Sequence, residues 1–382
     1  MRPRRNTMRI AVIFLLAFHG LLHLPGFLKP WKLAVLPALS GRSAVSLGEV
    51  GGKVVGLVWL IAGLLLLGAA ALRVCDASSW WMVALVAVVL SQALVVFQWH
   101  DAKFGTVANV LLAACVVLAA GTARFHRVND ELRDALFREA GAAAMVPSVV
   151  RAEELTKLPT PVRRWMEASG VVGKPRAHTV RLRQRGIMRT APGGAEMRVR
   201  AEQYFRVDEP AFLWFVDVES FGGLIAGRDT FRGARGRMYI TLGGLVPVAD
   251  GQGPTFDQGA ALRYLGEIIW FPSAALSPAV HWTPVDDRRA RATLAMGRDA
   301  VSADFTFDEQ GRCVRLEAKR YYAGKTLEDW DIPISAWRTF HGVTVPARGG
   351  AVWHLKEGDF SYYDWEIVDV EANVPRGWRE TP

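Results

Sequence analysis

The sequence predicts a protein in two parts: an α-helical region of four transmembrane segments, then an α+β domain in which a large curved antiparallel sheet, a half-barrel, wraps on a helix. Three observations predict it. Of 382 residues 51% are hydrophobic and mean hydropathy is positive, yet 22% are charged, so apolar and charged residues must be segregated. From Ile10 to Ala123 charge is confined to short interruptions, whereas beyond Arg124 it recurs every few residues. From Val180 onward apolar and polar residues alternate with period two, the pattern of half-buried strands. The expected parts are residues 1–123 for the transmembrane region, 124–160 for a helical connector and 161–382 for the β-rich domain.

Four uncharged stretches are long enough to cross about 30 Å of hydrocarbon, which takes about 20 helical residues: Ile10–Leu28, Val54–Leu72, Trp80–Trp99 and Phe104–Ala123. Gly48, Gly52, Gly56 and Gly63 line one face of the second and predict a packing seam. Glu49 and Lys53 stand four apart and are expected to pair. His19 and His23 share a face of the first. They read either as metal or haem ligands, with His100 as a third, or as neutral imidazoles bonding between helices.

Arg2, Arg4, Arg5 and Arg9 precede the first segment, and by the positive-inside rule they put the N-terminus in the cytoplasm. Four crossings return the β-rich domain to the same side. Lys29, Lys32, Arg42 and Lys53 of the first loop pull the other way. The expected location is the cytoplasmic membrane, with the soluble domain cytoplasmic.

Past the connector helix, Val128–Ala144, come Pro147, Pro159 and Pro161 and a short helix, Val162–Ala168, ending at Ser169 and Gly170. Val180 and Leu182 alternate with Arg181, Arg183 and Arg185, and Met197, Val199 and Ala201 with Arg198 and Arg200, so the two runs should pair. Val301–Phe307 and Val314–Ala318 form a hairpin around Asp308–Gly311. A second hairpin from Trp337 to Trp353 is expected to turn at Gly349 and Gly350, and Tyr362–Val370 closes the sheet. Thr255 and Gln258 suggest a capping box for one long helix with a stripe of Leu262, Leu265, Ile268 and Ile269, stopped by Pro272. Eight to eleven strands around this helix make the half-barrel.

No nucleophile elbow, Cys-x-x-Cys, H-E-x-x-H or phosphate loop is present, so no catalytic residue, metal site or cofactor is expected. Gly222–Gly227 is glycine-rich but has no following lysine, and reads as a loop. Cys75 and Cys115 lie in or beside hydrophobic segments, leaving Cys313 without a partner in the β-rich part. The net charge of +9 lacks the aromatic and basic signatures of nucleic-acid modules. An anionic membrane surface is the expected partner, met by Arg181, Arg183, Arg185, Arg198 and Arg200. With Arg189 and Arg206 these make an arginine face that only Glu202 opposes. Phe212–Val216 is apolar on both faces, and either a second layer or a ligand must cover it.

The strings Ser169-Gly-Val-Val-Gly-Lys-Pro175, Ala201-Glu-Gln-Tyr-Phe205, Leu262-Arg-Tyr-Leu-Gly-Glu-Ile-Ile-Trp-Phe-Pro272 and Val352-Trp-His-Leu355 resemble a family of bacterial proteins known only as a domain of unknown function. That resemblance covers most of the chain from Pro161 onward and implies no activity. The expected arrangement also resembles the lipoprotein-carrier half-barrel fold, which encloses an acyl-chain cavity. Trp99-His-Asp-Ala-Lys-Phe-Gly-Thr106 is faintly similar to other small four-helix bacterial membrane proteins.

The leading expectation is a multipass membrane protein whose β-rich domain binds a hydrophobic or lipid-like ligand through Phe212, Trp214, Tyr264, Glu267, Trp270 and Trp353. One rival is a membrane-bound enzyme using Glu267, His281 and His354 on a lipid-derived substrate. The other is a structural partner of another membrane protein. For Arg263 and Glu267, one helical turn apart, a salt bridge is the plain reading.

Overall fold

The structure, a computed structural model, describes residues 3–141, 148–219, 223–297 and 299–378, with side chains from residue 7 onward. Arg2, Ala144, Pro147 and Gly222 lie outside the described residues, as do the side chains of Arg4 and Arg5. The chain divides into two compact units, Met1–Phe125 with Gly243–Leu245, and His126–Leu242 with Val246–Pro382.

The helical unit comprises α1 (Pro3–Leu21), α2 (Leu24–Leu28), α3 (Glu49–Val74), α4 (Trp80–Phe97), α5 (Trp99–Ala102) and the first part of α6 (Gly105–Ala140). Four helices are long and apolar enough to cross a membrane: Thr7–Leu28, Glu49–Val74, Trp80–Phe97 and Gly105–Ala140. The last does not end at Ala123. It runs unbroken into the expected connector because residues 124–140 contain no proline or glycine to stop it.

Small side chains bring these helices together. Ala69, Ala84 and Ala87 are fully buried beside Leu16, Leu66 and Leu112, and Ala62 beside Trp59, Leu94 and Val95. The glycine seam is realised at its inner end, where a Cβ on Gly63 would stand 2.9 Å from the carbonyl oxygen of Gly20. Gly48 and Gly52, at its outer end, meet nothing within 4 Å. Glu49 pairs with Lys53 (3.4 Å) and also with Lys32 (2.8 Å).

A buried polar spine runs through the unit. His23 Nδ1 bonds the carbonyl oxygen of His19 at 2.7 Å, and its Nε2 lies 2.9 Å from Ser91 Oγ. His19 Nε2 lies 2.8 Å from Asn109 Oδ1, and Asn109 donates onward to Gln92. The two histidines therefore serve interhelical hydrogen bonds. His100 is not with them: it is exposed, beside Ser40 and Asp101.

In the second unit α7 (Thr160–Ala168) precedes the sheet and Gly170 takes the left-handed conformation at its end. The strands are β1 (Thr179–Met188), β2 (Met197–Arg206), β3 (Ala211–Val218), β4 (Ile225–Arg232), β5 (Arg235–Leu242), β6 (Val246–Gln252), β7 (Val280–Pro284), β8 (Arg289–Met296), β9 (Asp299–Phe307), β10 (Cys313–Tyr322), β11 (Thr326–Phe340), β12 (Val343–Leu355) and β13 (Gly358–Ala372). Thirteen strands exceed the eight to eleven expected, because strands such as β6, largely exposed, carry no alternating apolar signal.

The order is β6-β5-β4-β3-β2-β1-β13-β12-β11-β10-β9-β8-β7, and every neighbouring pair is antiparallel. The chain starts at the centre, meanders outward to β6, crosses to the far edge and meanders back. The crossing segment holds α8 (Pro254–Glu267), which packs on β4, β5 and β6 of one arm and on β8, β9 and β10 of the other. Both arms thus curl over one helix, which makes the sheet a half-barrel.

Two local expectations fail. The capping box does not form: Gly253 is the residue before α8, no side chain caps the helix, and Gln258 donates instead to the carbonyl oxygen of Lys319. Pro254, which needs no N–H partner, starts the helix without it. Nor does the second hairpin turn at Gly349 and Gly350. It turns at His341 and Gly342, both at positive φ, and the glycine pair lies within β12. There a Cβ on Gly349 would stand 2.4 Å from the Trp365 ring, so Gly349 makes room for an indole.

Candidate functional site

Alternation along the strands decides which side chains enter the half-barrel. Inside lie Phe205 of β2, Phe212 and Trp214 of β3, Trp353 of β12 and Trp365 of β13, all in one core with Leu262, Tyr264, Leu265 and Trp270. All six side chains expected to bind a ligand are therefore buried. Phe212, Trp214, Tyr264, Trp270 and Trp353 share this core, and Glu267 is 6% exposed at the end of α8. The helix α8 fills the concave side of the sheet.

The other face of β3 is covered as well. Leu213 packs with Leu136 and Phe137 of the C-terminal half of α6, and with Tyr204. The apolar strand is thus explained by a second layer.

A line of polar groups crosses this apolar interior. The Tyr363 hydroxyl donates to Gln184 (2.7 Å), Gln184 to Gln203 (3.1 Å) and Gln203 to Glu267 (2.6 Å). Arg263 then joins Glu267 (2.8 Å) to Asp229 of β4 (2.7 Å), its guanidinium lying 4.5 Å from the Trp214 ring centre. Burial pushes the carboxyls of Glu267 and Asp229 above their usual range, against the opposing pull of Arg263. The expected salt bridge is real but buried rather than on a wet face, and it ties the helix to one arm.

On the other arm Arg320 and Trp330 both donate to the Tyr362 hydroxyl at 3.1 Å. Two donors in the interior, the indole N–H groups of Trp214 and Trp270, are buried and have no partner among the described residues. Their residue types gave a sequence signal for burial but none for this deficit.

Glu267, His281 and His354 are not brought together. Trp353 points inward, so His354 points outward, where it bonds Asp359 at 2.7 Å, and that bond raises its pKa. Val280 and Trp282 pack toward the core and leave His281 exposed on the opposite face.

The arginine face needs correction. β1 and β2 pair as expected, but the other neighbour of β1 is β13, whose acidic residues stand opposite: Arg181 with Glu371, Arg183 with Asp369, Arg185 with Glu366. Arg181 bonds Glu371, Arg185 bonds Glu366 (2.9 Å), Arg189 bonds Asp364 (2.8 Å) and Arg200 bonds Glu219 (2.5 Å). A register shift after Arg183 keeps Glu371, Asp369, Glu366 and Asp364 outside while Ile367, Trp365 and Tyr363 stay inside. Arg181 and Arg183 also lie over the Trp378 ring. Glu202 is therefore far from the only opposing charge, and Arg198 and Arg200 are the exposed members on β2.

Fold and site together define a half-barrel closed on an internal helix, in one chain with four helices long and apolar enough to cross a membrane. The chain belongs to the family of unknown function DUF6544, whose profile matches residues 148–365. Three solved structures are similar to it. A LolA superfamily protein from Nitrosomonas europaea is 11% identical, with 57% of this chain and 94% of that one covered at a TM-score of 0.33. A domain described as a putative outer membrane lipoprotein-sorting protein from Vibrio parahaemolyticus is 9% identical (59% and 95%, TM-score 0.36). A DUF1329 family protein from Desulfovibrio piger is 10% identical (59% and 95%, TM-score 0.34). No curated protein matches the sequence.

Proposed function

We propose that this is a multipass protein of the cytoplasmic membrane, its half-barrel on the cytoplasmic side, that binds a lipid-like ligand carrying an acceptor oxygen. The observation that carries the reading is the pair of buried, unpartnered indole N–H donors of Trp214 and Trp270. A buried donor without an acceptor costs about 1–3 kcal/mol, and an ester or carboxyl oxygen on an apolar chain would relieve it. Phe212, Tyr264 and Trp353 supply the apolar wall, and Glu267 with Arg263 sets the polar end.

Because α8 fills the interior, the ligand enters as the helix lifts from one arm. The Arg263–Asp229 contact, which ties α8 to β4, acts as its latch. Arg198 and Arg200 are the residues we assign to headgroup contact.

The test is mass spectrometry of small molecules retained by the full-length protein after mild detergent extraction, with titration of a fluorescent fatty acid. Retention of acyl lipid, weakened by Trp214→Phe and Trp270→Phe, is expected. A protein that retains no lipid and leaves the probe unbound would refute the reading. Protease accessibility in sealed vesicles checks the side of the membrane.

A further inference from the structure

The helical unit holds a half-open cavity of about 810 Å³ bounded by α1, α2, the loop before α3, α3 as far as Trp59 and residues from Val95 to Gly105. That volume is in the range of pockets for drug-sized molecules. Its wall is preorganised. Asp101 accepts from Ser40 N (3.0 Å), Ser40 Oγ (2.8 Å) and Gly41 N (2.6 Å), which pins the loop. Trp59 donates to Gln98 at 2.6 Å, and its ring lies so close to Gly26 that a Cβ there would stand 2.5 Å away.

At the inner wall His19 is 3% exposed, and hydrogen-bond bookkeeping specifies its proton. Asn109 donates its amide to Gln92 at 3.0 Å, so its Oδ1 accepts and His19 Nε2 must be the N–H that reaches it. The neutral ring then carries a lone pair on Nδ1, and this atom has no partner among the described residues. His23 differs: both its nitrogens are engaged, by the His19 carbonyl oxygen and by Ser91. One buried acceptor, in a ring that lines the cavity, is left open.

We propose that this cavity binds an apolar alcohol or phenol whose hydroxyl donates to Nδ1 of His19, its body lying against Trp59 and the mouth by Gly52. The proposal is independent of the half-barrel reading, because it involves no residue of that unit. Hydroxyl chemistry follows from the need for a donor, and an apolar body follows from an interior set among helices long and apolar enough to cross a membrane.

The experiment measures retention of radiolabelled 4-nonylphenol by the full-length protein in detergent, beside its methyl ether and 1-dodecanol. The ether has the same body and no donor, so it should bind about tenfold more weakly, the effect of one hydrogen bond to a buried acceptor. Preference for the phenol over dodecanol assigns an aromatic occupant, and the reverse an aliphatic one. Gly52 lines the cavity and a Cβ there meets nothing, so Gly52→Leu should fill the mouth, raise rather than lower the melting temperature, and weaken phenol binding at least about tenfold. His19→Phe should bring the phenol down to the level of the ether. Equal binding of phenol and ether, retention of neither hydroxyl compound, or full retention by Gly52→Leu would each overturn the proposal.

Discussion

The two interiors of this protein solve the same packing problem in opposite ways. In the half-barrel a crossover helix fills the concave face with large rings, and the polar groups that enter with it are strung into a continuous chain from Tyr363 to Asp229. In the helical unit glycine and alanine bring helices close at one end, while at the other Gly48 and Gly52 face open space and a cavity remains. Both leave buried nitrogens without a partner among the described residues, Trp214 and Trp270 in the first and His19 in the second.

Substitutions can break this contrast, and the largest effect belongs to the filled interior. Arg263→Ala leaves Glu267 and Asp229 buried without their cation and should destabilise the half-barrel by about 3–5 kcal/mol, read by denaturant unfolding in detergent. Gly349→Ala comes next. Its Cβ would meet the Trp365 ring at 2.4 Å and the Pro333 carbonyl oxygen at 2.6 Å, and overpacking of this kind costs about 1–3 kcal/mol. The hollow interior should respond with the other sign: Gly52→Ala has free space and a helical backbone, so a gain of about 0.5–1 kcal/mol is expected in thermal melts.

The smallest effect sharpens the comparison at the surface. Hydrogen bonding from Arg185 holds the Glu366 carboxyl below its usual 4.5. Its contribution is present above that pH and is lost as pH falls through the lower folded value. Glu366→Gln should flatten the acid limb of the stability profile by a few tenths of a kcal/mol, as exposed ion pairs do.

How much of this was legible depended on range. The four membrane-length helices and the β1–β2 pairing follow from patterns within about twenty residues, and Leu262, Leu265, Ile268 and Ile269 announce the buried stripe that the sheet wraps. What could not be read was non-local. Glu371, Asp369, Glu366 and Asp364 neutralise the arginine face from a single strand, β13, nearly two hundred positions away, and a register shift hides their common face by breaking the alternation. Gly349 and Gly350 mimic a turn because glycine pairs mark turns, whereas Gly349 serves close ring packing within a strand. The orphaned nitrogens of Trp214, Trp270 and His19 have no sequence signature, since a missing partner is a property of three-dimensional surroundings.

The adjacency of β1 and β13 has a consequence for synthesis. Since the first and last strands meet at the middle of the sheet, a growing chain exposes two raw strand edges until Gly358–Ala372 leaves the ribosome. The seam between the halves is then zipped last, over the longest loop closure in the domain. A chain stopped between β12 and β13 carries two unjoined ribbons with open edges rather than a smaller barrel, so joining the halves rests on one fifteen-residue strand.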